Sequence, residues 1–119
     1  MRLITGNRGS GRTTTIINDA IKLAQQGHRV IIVTDAAPMV SIIKSKLDAK
    51  YDDMIDVLSA YEYNELINGR GKCIRNKFDI LIDDFDYFLQ TIFKNNIAEI
   101  SVDKRNVEVI EIARNDLKD

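Results

Sequence analysis

The sequence predicts an α/β fold, a three-layer sandwich whose mostly parallel five-stranded sheet has helices on both faces. Short β-branched runs alternate strictly with helix-periodic segments, the pattern of parallel strands joined by right-handed crossover helices. The stretch "RVIIVTD" (Arg29 to Asp35) is apolar without alternation, as expected of a strand covered on both faces. A chain of 119 residues, 45% of them hydrophobic, has room for one core, so residues 1–119 read as a single domain.

The elements follow in order. Arg2 to Thr5 reads as a short buried strand. After a glycine-rich loop, Ile16, Ile17, Ala20, Ile21 and Ala24 recur at helical spacing until Gly27 supplies a stop. The second strand is "RVIIVTD". Pro38 suits a helix first turn, and Met39, Ile42, Ile43 and Leu47 form the stripe of a second helix ending near Tyr51. Met54 to Ala60 reads as the third strand, followed by a short helix from Tyr61 to Asn68 that stops at Gly69. A fourth, strongly apolar strand lies within "FDILIDDFD" (Phe78 to Asp86). A fourth helix spans Tyr87 to Asn96, and the fifth strand is Val107 to Ala113. Glu108 and Glu111 interrupt that last strand, which marks it as an edge strand and favours the first and fourth strands as direct neighbours.

Composition narrows the function. The formal net charge of −1 provides no global field to attract nucleic acid or an anionic membrane. The lone Cys73 has no partner for an internal disulfide and no Cys or His at metal-ligand spacing. No apolar stretch approaches the ~20 residues needed to span a bilayer, and the amino terminus has no signal-type apolar core, so a cytoplasmic protein without membrane contact is expected. The basic cluster Arg70, Lys72, Arg75 and Lys77 precedes a strand, at the end of the sheet away from its ligand-binding edge. Its default meaning is a solvated turn, with nucleic-acid backbone contact the rarer one. His28 reads as a surface residue, and Asp48, Asp52, Asp53 and Asp56 as a solvated acidic turn.

In a parallel α/β sheet ligands bind at the carboxyl ends of the strands, and two such ends carry chemistry. "GNRGSGRTTT" (Gly6 to Thr15) follows the first strand and precedes a helix. Glycines let a backbone wrap closely around phosphate, with successive N–H groups and a helix amino end turned to negative charge. Arg12 would neutralise outer phosphates, and the Thr13 hydroxyl would reach Mg²⁺. In "ILIDD" an apolar strand delivers Asp83 and Asp84 to the same edge. One carboxylate there suits Mg²⁺, and a second suits the orientation of an attacking water. Asp84 or Asp86 would equally cap the following helix.

With these two motifs the sequence resembles the P-loop NTPase superfamily: "GNRGSGRT" is similar to a Walker A loop and "ILIDD" to a Walker B strand. The resemblance implies that Gly6, Asn7, Arg8, Gly9, Ser10, Gly11, Arg12, Thr13 and Thr14 bind a nucleotide and that Thr13 and Asp83 serve Mg²⁺. It also implies that Asp84 stands where many ATPases of the additional-strand class carry a catalytic glutamate, with Arg12 in the place of the usual lysine. Arg114 or Asn115 stands where that class often has a polar sensor. Arginine keeps the charge but not the shape of lysine, and aspartate is one methylene shorter than glutamate, so binding is expected and hydrolysis is a separate question. No N-K-x-D stretch is present, which favours ATP over GTP.

Two other readings use the same residues. In the first, the domain is a catalytically inactive interaction module that keeps the scaffold and engages a protein partner or a second copy of itself. In the second, "TGNRGSG" with Asp35 opens a short-chain-dehydrogenase-like NAD(P) domain. Gly6, Gly9 and Gly11 fit neither dinucleotide spacing, however, and no Tyr-x-x-x-Lys pair occurs. Small size and an Ile- and Asn-rich composition are those expected of a phage or mobile-element protein in DNA metabolism.

Overall fold

The computed structural model describes residues 1–7, 9–69 and 78–112. Within them the chain is α/β, in the expected order: β1 (Arg2–Gly6), α1 (Arg12–Gln25), β2 (Val30–Thr34), α2 (Ala37–Lys46), β3 (Ile55–Ser59), α3 (Ala60–Gly69), β4 (Asp79–Ile82), α4 (Phe85–Phe93) and β5 (Glu108–Ile112). Single 3₁₀ turns lie at Ala49–Tyr51 and Lys104–Asn106.

Local chemistry sets the helix ends. At the end of α1, Gly27 (φ +88°) sends its N–H to Ala24 O at 3.0 Å while His28 N–H reaches Leu23 O at 3.0 Å, a Schellman closure that needs a left-handed residue. Helix α2 stops at Lys46, earlier than the apolar stripe implies, because Leu47 is extended and Asp48 caps the separate 3₁₀ turn by accepting from Lys50 N. A reciprocal capping box opens α3: Glu62 N–H donates to Ser59 Oγ at 3.1 Å, and Ser59 N–H donates to Glu62 Oε1 at 3.0 Å. Helix α4 begins two residues before the expected Tyr87, because Asp84 takes a left-handed conformation (φ 65°) at its N-cap.

All five residues of β2 are buried. The strand lies between β3 and β4, parallel to both, with Val30 opposite Ile55 and Asp79. Its alternate side chains feed two clusters. Val30 and Ile32 pack with Ile16, Ile17, Ala20 and Ala24 of α1, Val40 and Ile43 of α2, and Ile55 and Val57 of β3; Ile31 and Val33 pack with Ala60, Tyr63, Ile82 and Phe88.

The expected single five-stranded sheet is not what the ladders show. Among the described residues β3–β2–β4 form one parallel sheet, and β1 and β5 form a second from Arg2 opposite Glu108 to Gly6 opposite Ile112. The expected direct pairing of the two motif strands is likewise not formed. Strand β1 is joined to the main core by the side chain of Ile4 and through α1 rather than by a ladder, and β5 adds no residue to either cluster. The outlying position of β5 accords with its interrupting glutamates, of which Glu108 and Glu111 are both exposed.

Candidate functional site

The loop after β1 closes on itself. Ser10 N–H donates to Asn7 O at 3.0 Å, and Gly9 (φ +81°) and Gly11 (φ +99°) hold left-handed backbone that a side chain would strain. A Cβ added at Gly6 would run into Ser10 Oγ and lie 2.9 Å from Ile112 O, so only glycine lets the loop fold back against β5. Inside this turn Ser10 Oγ is buried and has no hydrogen-bond partner among the described residues. Helix α1 begins directly behind, with no side-chain cap and no acid in its first turn, so its leading N–H groups lack side-chain acceptors among the described residues. An orphaned hydroxyl beside an uncapped helix amino end fits an anion such as a phosphate oxygen.

Across from the loop, Asp83 N–H donates to Val33 O at 2.7 Å, which continues the β4 ladder one residue past the strand and fixes Asp83 at the end of β2. Its side chain is only 8% exposed. The Thr13 hydroxyl donates to Asp83 Oδ2 at 2.9 Å, joining residues 70 apart in sequence. Burial pushes the Asp83 carboxyl above its usual value. The Thr13 hydrogen bond and the Arg12 guanidinium oppose that rise, and the negative charges of Asp84 and Asp35 add to it.

The structure therefore brings Arg12, Thr13 and Asp84 together around Asp83. Asp35 joins them from the end of β2. Sequence reading assigned Asp35 only to a dinucleotide ribose, because nothing in a linear pattern says that β2 and β4 are neighbours. Asp84 also acts as a cap, its Oδ1 accepting a long 3.5 Å bond from Tyr87 N. Asn7, Gly9 and Thr14 are exposed on the loop and first turn, and the Asn7 and Thr14 side chains make no hydrogen bond among the described residues. Arg8, the sensor candidates Arg114 and Asn115, Cys73 and the basic cluster from Arg70 to Lys77 lie outside the described residues.

Among the described residues no three His, Cys, Asp or Glu side chains are grouped to hold a metal ion. A Mg²⁺ ion does not require such a cage, since it is commonly held by one or two carboxylates together with substrate phosphates and water. The Thr13 hydroxyl and the Asp83 carboxylate fit that role.

His28 is the surface residue expected of it, although its Nδ1 lies 2.7 Å from Asp79 Oδ2 at the amino end of β4, away from this site. No described helix is long and apolar enough to cross a membrane.

Fold and site together define a parallel α/β arrangement in which the helix behind a glycine loop meets, through Thr13, a buried acid at the end of β4. Compared with known proteins, the chain matches no family model, no curated protein and no solved structure.

Proposed function

We propose that this domain binds a nucleoside triphosphate, ATP in preference, together with Mg²⁺. The observation that carries the reading is the Thr13–Asp83 hydrogen bond at 2.9 Å, which unites the glycine loop with the acidic strand end. In this reading the backbone from Gly6 to Gly11 and the first turn of α1 receive the phosphates, with Ser10 Oγ gaining the partner it lacks. Arg12 balances phosphate charge, and Thr13 and Asp83 hold Mg²⁺, whose chemistry is to neutralise charge on the phosphate oxygens. A three-layer arrangement about one five-stranded sheet is the finer fold that goes with it.

Hydrolysis adds one demand, a base that orients water, and Asp84 is the residue for it. A second reading, binding without turnover, is favoured by the same residue, because the Asp84 side chain already serves the start of α4. A cytoplasmic role in the DNA metabolism of a phage or mobile element, alone or with a protein partner, is the setting proposed from size and composition.

Calorimetric titration tests the central claim. Wild-type protein should bind ATP with Mg²⁺, and Arg12→Ala should bind at least about tenfold more weakly, equivalent to about 1.4 kcal/mol. Absence of binding to every nucleoside triphosphate would refute it. Magnesium-dependent turnover that disappears in Asp84→Asn selects the enzyme; binding without turnover selects the module.

A further inference from the structure

We infer that the Thr34 hydroxyl is a positioning group of the candidate site, holding a water of the Mg²⁺ ion beside Asp83. This role rests on the nucleotide reading above and adds a residue of β2 to the same site. Strand β2 runs through four buried aliphatic residues and then ends on Thr34, a polar residue only 1% exposed.

Register places Thr34 next to the buried acid. Val30 stands opposite Asp79, with Asp79 N–H donating to Arg29 O; Asp83 N–H repeats that pattern on Val33 O, so Thr34 stands opposite Asp83. Side chains alternate along a strand, and Thr34 falls on the face of Val30 and Ile32, which pack against α1. Asp83 falls on the same face, two residues beyond Leu81, and there meets Thr13 of α1. Ser59, opposite Thr34 on its other side, completes a polar row at the carboxyl edge of the sheet.

Two members of this row have partners and the third does not. Asp83 accepts from Thr13, and Ser59 Oγ accepts from Glu62 N–H, whereas the Thr34 hydroxyl makes no hydrogen bond among the described residues. Burying such a hydroxyl costs stability, and valine would extend the aliphatic run with the same branched shape. Packing alone therefore favours valine. Mg²⁺ commonly keeps several waters when bound by one or two carboxylates, and groups outside its first shell orient them. A hydroxyl beside the Asp83 carboxylate can accept a hydrogen bond from such a water.

Thr34→Val and Thr34→Ser test this by calorimetric ATP titration, with Mg²⁺ and with EDTA, and by urea unfolding. Thr34→Val should bind about tenfold more weakly with Mg²⁺ and unchanged in EDTA, with a urea midpoint equal to or above that of wild type. Thr34→Ser keeps the hydroxyl and loses a buried methyl group, so its midpoint should fall while binding with Mg²⁺ is retained. A merely structural threonine would not separate binding from stability in this crossed way. Wild-type affinity in Thr34→Val, equal weakening with and without Mg²⁺, or a lowered midpoint in Thr34→Val would each overturn the role and leave the nucleotide reading intact. Wild-type protein that binds no nucleoside triphosphate would overturn both.

Discussion

Replacing Thr13 by valine removes one oxygen from the bond on which the site is built and leaves its shape. Valine keeps the β-branch and has nearly the helix propensity of threonine, so α1 itself loses little. The cost falls on Asp83. An exposed carboxylate would recover a lost donor from water at little expense, but Asp83 is 8% exposed and the replacing methyl group offers nothing. A hydrogen bond to a charged, buried acceptor is worth about 1.5–3 kcal/mol. For a domain of this size that corresponds to a fall in Tm of roughly 5 to 15 °C. The chain has no Trp, so urea and thermal unfolding at pH 7.5 are best followed by far-UV circular dichroism. In an Asp83→Asn background the same replacement breaks a bond between neutral groups and should cost only about 0.5–1.5 kcal/mol. Equal costs in the two backgrounds, or a loss below about 0.5 kcal/mol in the wild type, would refute the claim that this hydroxyl solvates the buried carboxylate.

Three further outcomes are expected. Because the folded-state pKa of Asp83 is raised, folded protein holds that proton more tightly than the unfolded chain. Stability contributed by the protonated form is therefore present at low pH and lost as pH climbs from about the unfolded value of 3.8 through the raised one. The stability of Asp83→Asn relative to wild type, from urea midpoints between pH 4 and 7, should accordingly rise with pH; a flat or falling difference contradicts the burial argument. Gly6→Ala should lose about 1–3 kcal/mol, because its Cβ meets Ile112 O at 2.9 Å, and adding Ser10→Ala should restore only a minor part, since the carbonyl clash persists. Ser59→Ala breaks the box at α3 and should cost about 1 kcal/mol with an unchanged urea m-value; no measurable loss would mean that the reciprocal bonds add nothing.

Much of the main core was readable from side-chain periodicity. The unbroken β-branched run became the buried β2, and Ile16, Ile17, Ala20 and Ala24 of the predicted stripe are all buried. Periodicity reports which face of an element is covered and is silent about which parallel strand lies beside which. The β1–β5 ladder and the presence of Asp35 near Asp83 could not be read for that reason. The pairing of His28 with Asp79 was hidden likewise, since its acid comes from another strand. Helix ends were harder to place because caps act through backbone angles. Asp84 starts α4 early from a left-handed conformation, while "SAYE" did carry a legible S-x-x-E signal at α3. The two motifs of the candidate site were legible as residues. Their meeting is a property of the fold, expressed in the Thr13–Asp83 contact.

The β1–β5 ladder has a kinetic consequence. It pairs Arg2 with Glu108, so it closes the longest loop in the described chain and has the greatest entropic distance to cover before any bond repays it. The β3–β2–β4 sheet draws on nearer partners and a fully buried central strand, and is expected to form first. The glycine loop hangs from the strand that arrives last. A molecule that has folded only its main sheet would then have the acid in place before the loop whose Thr13 meets it.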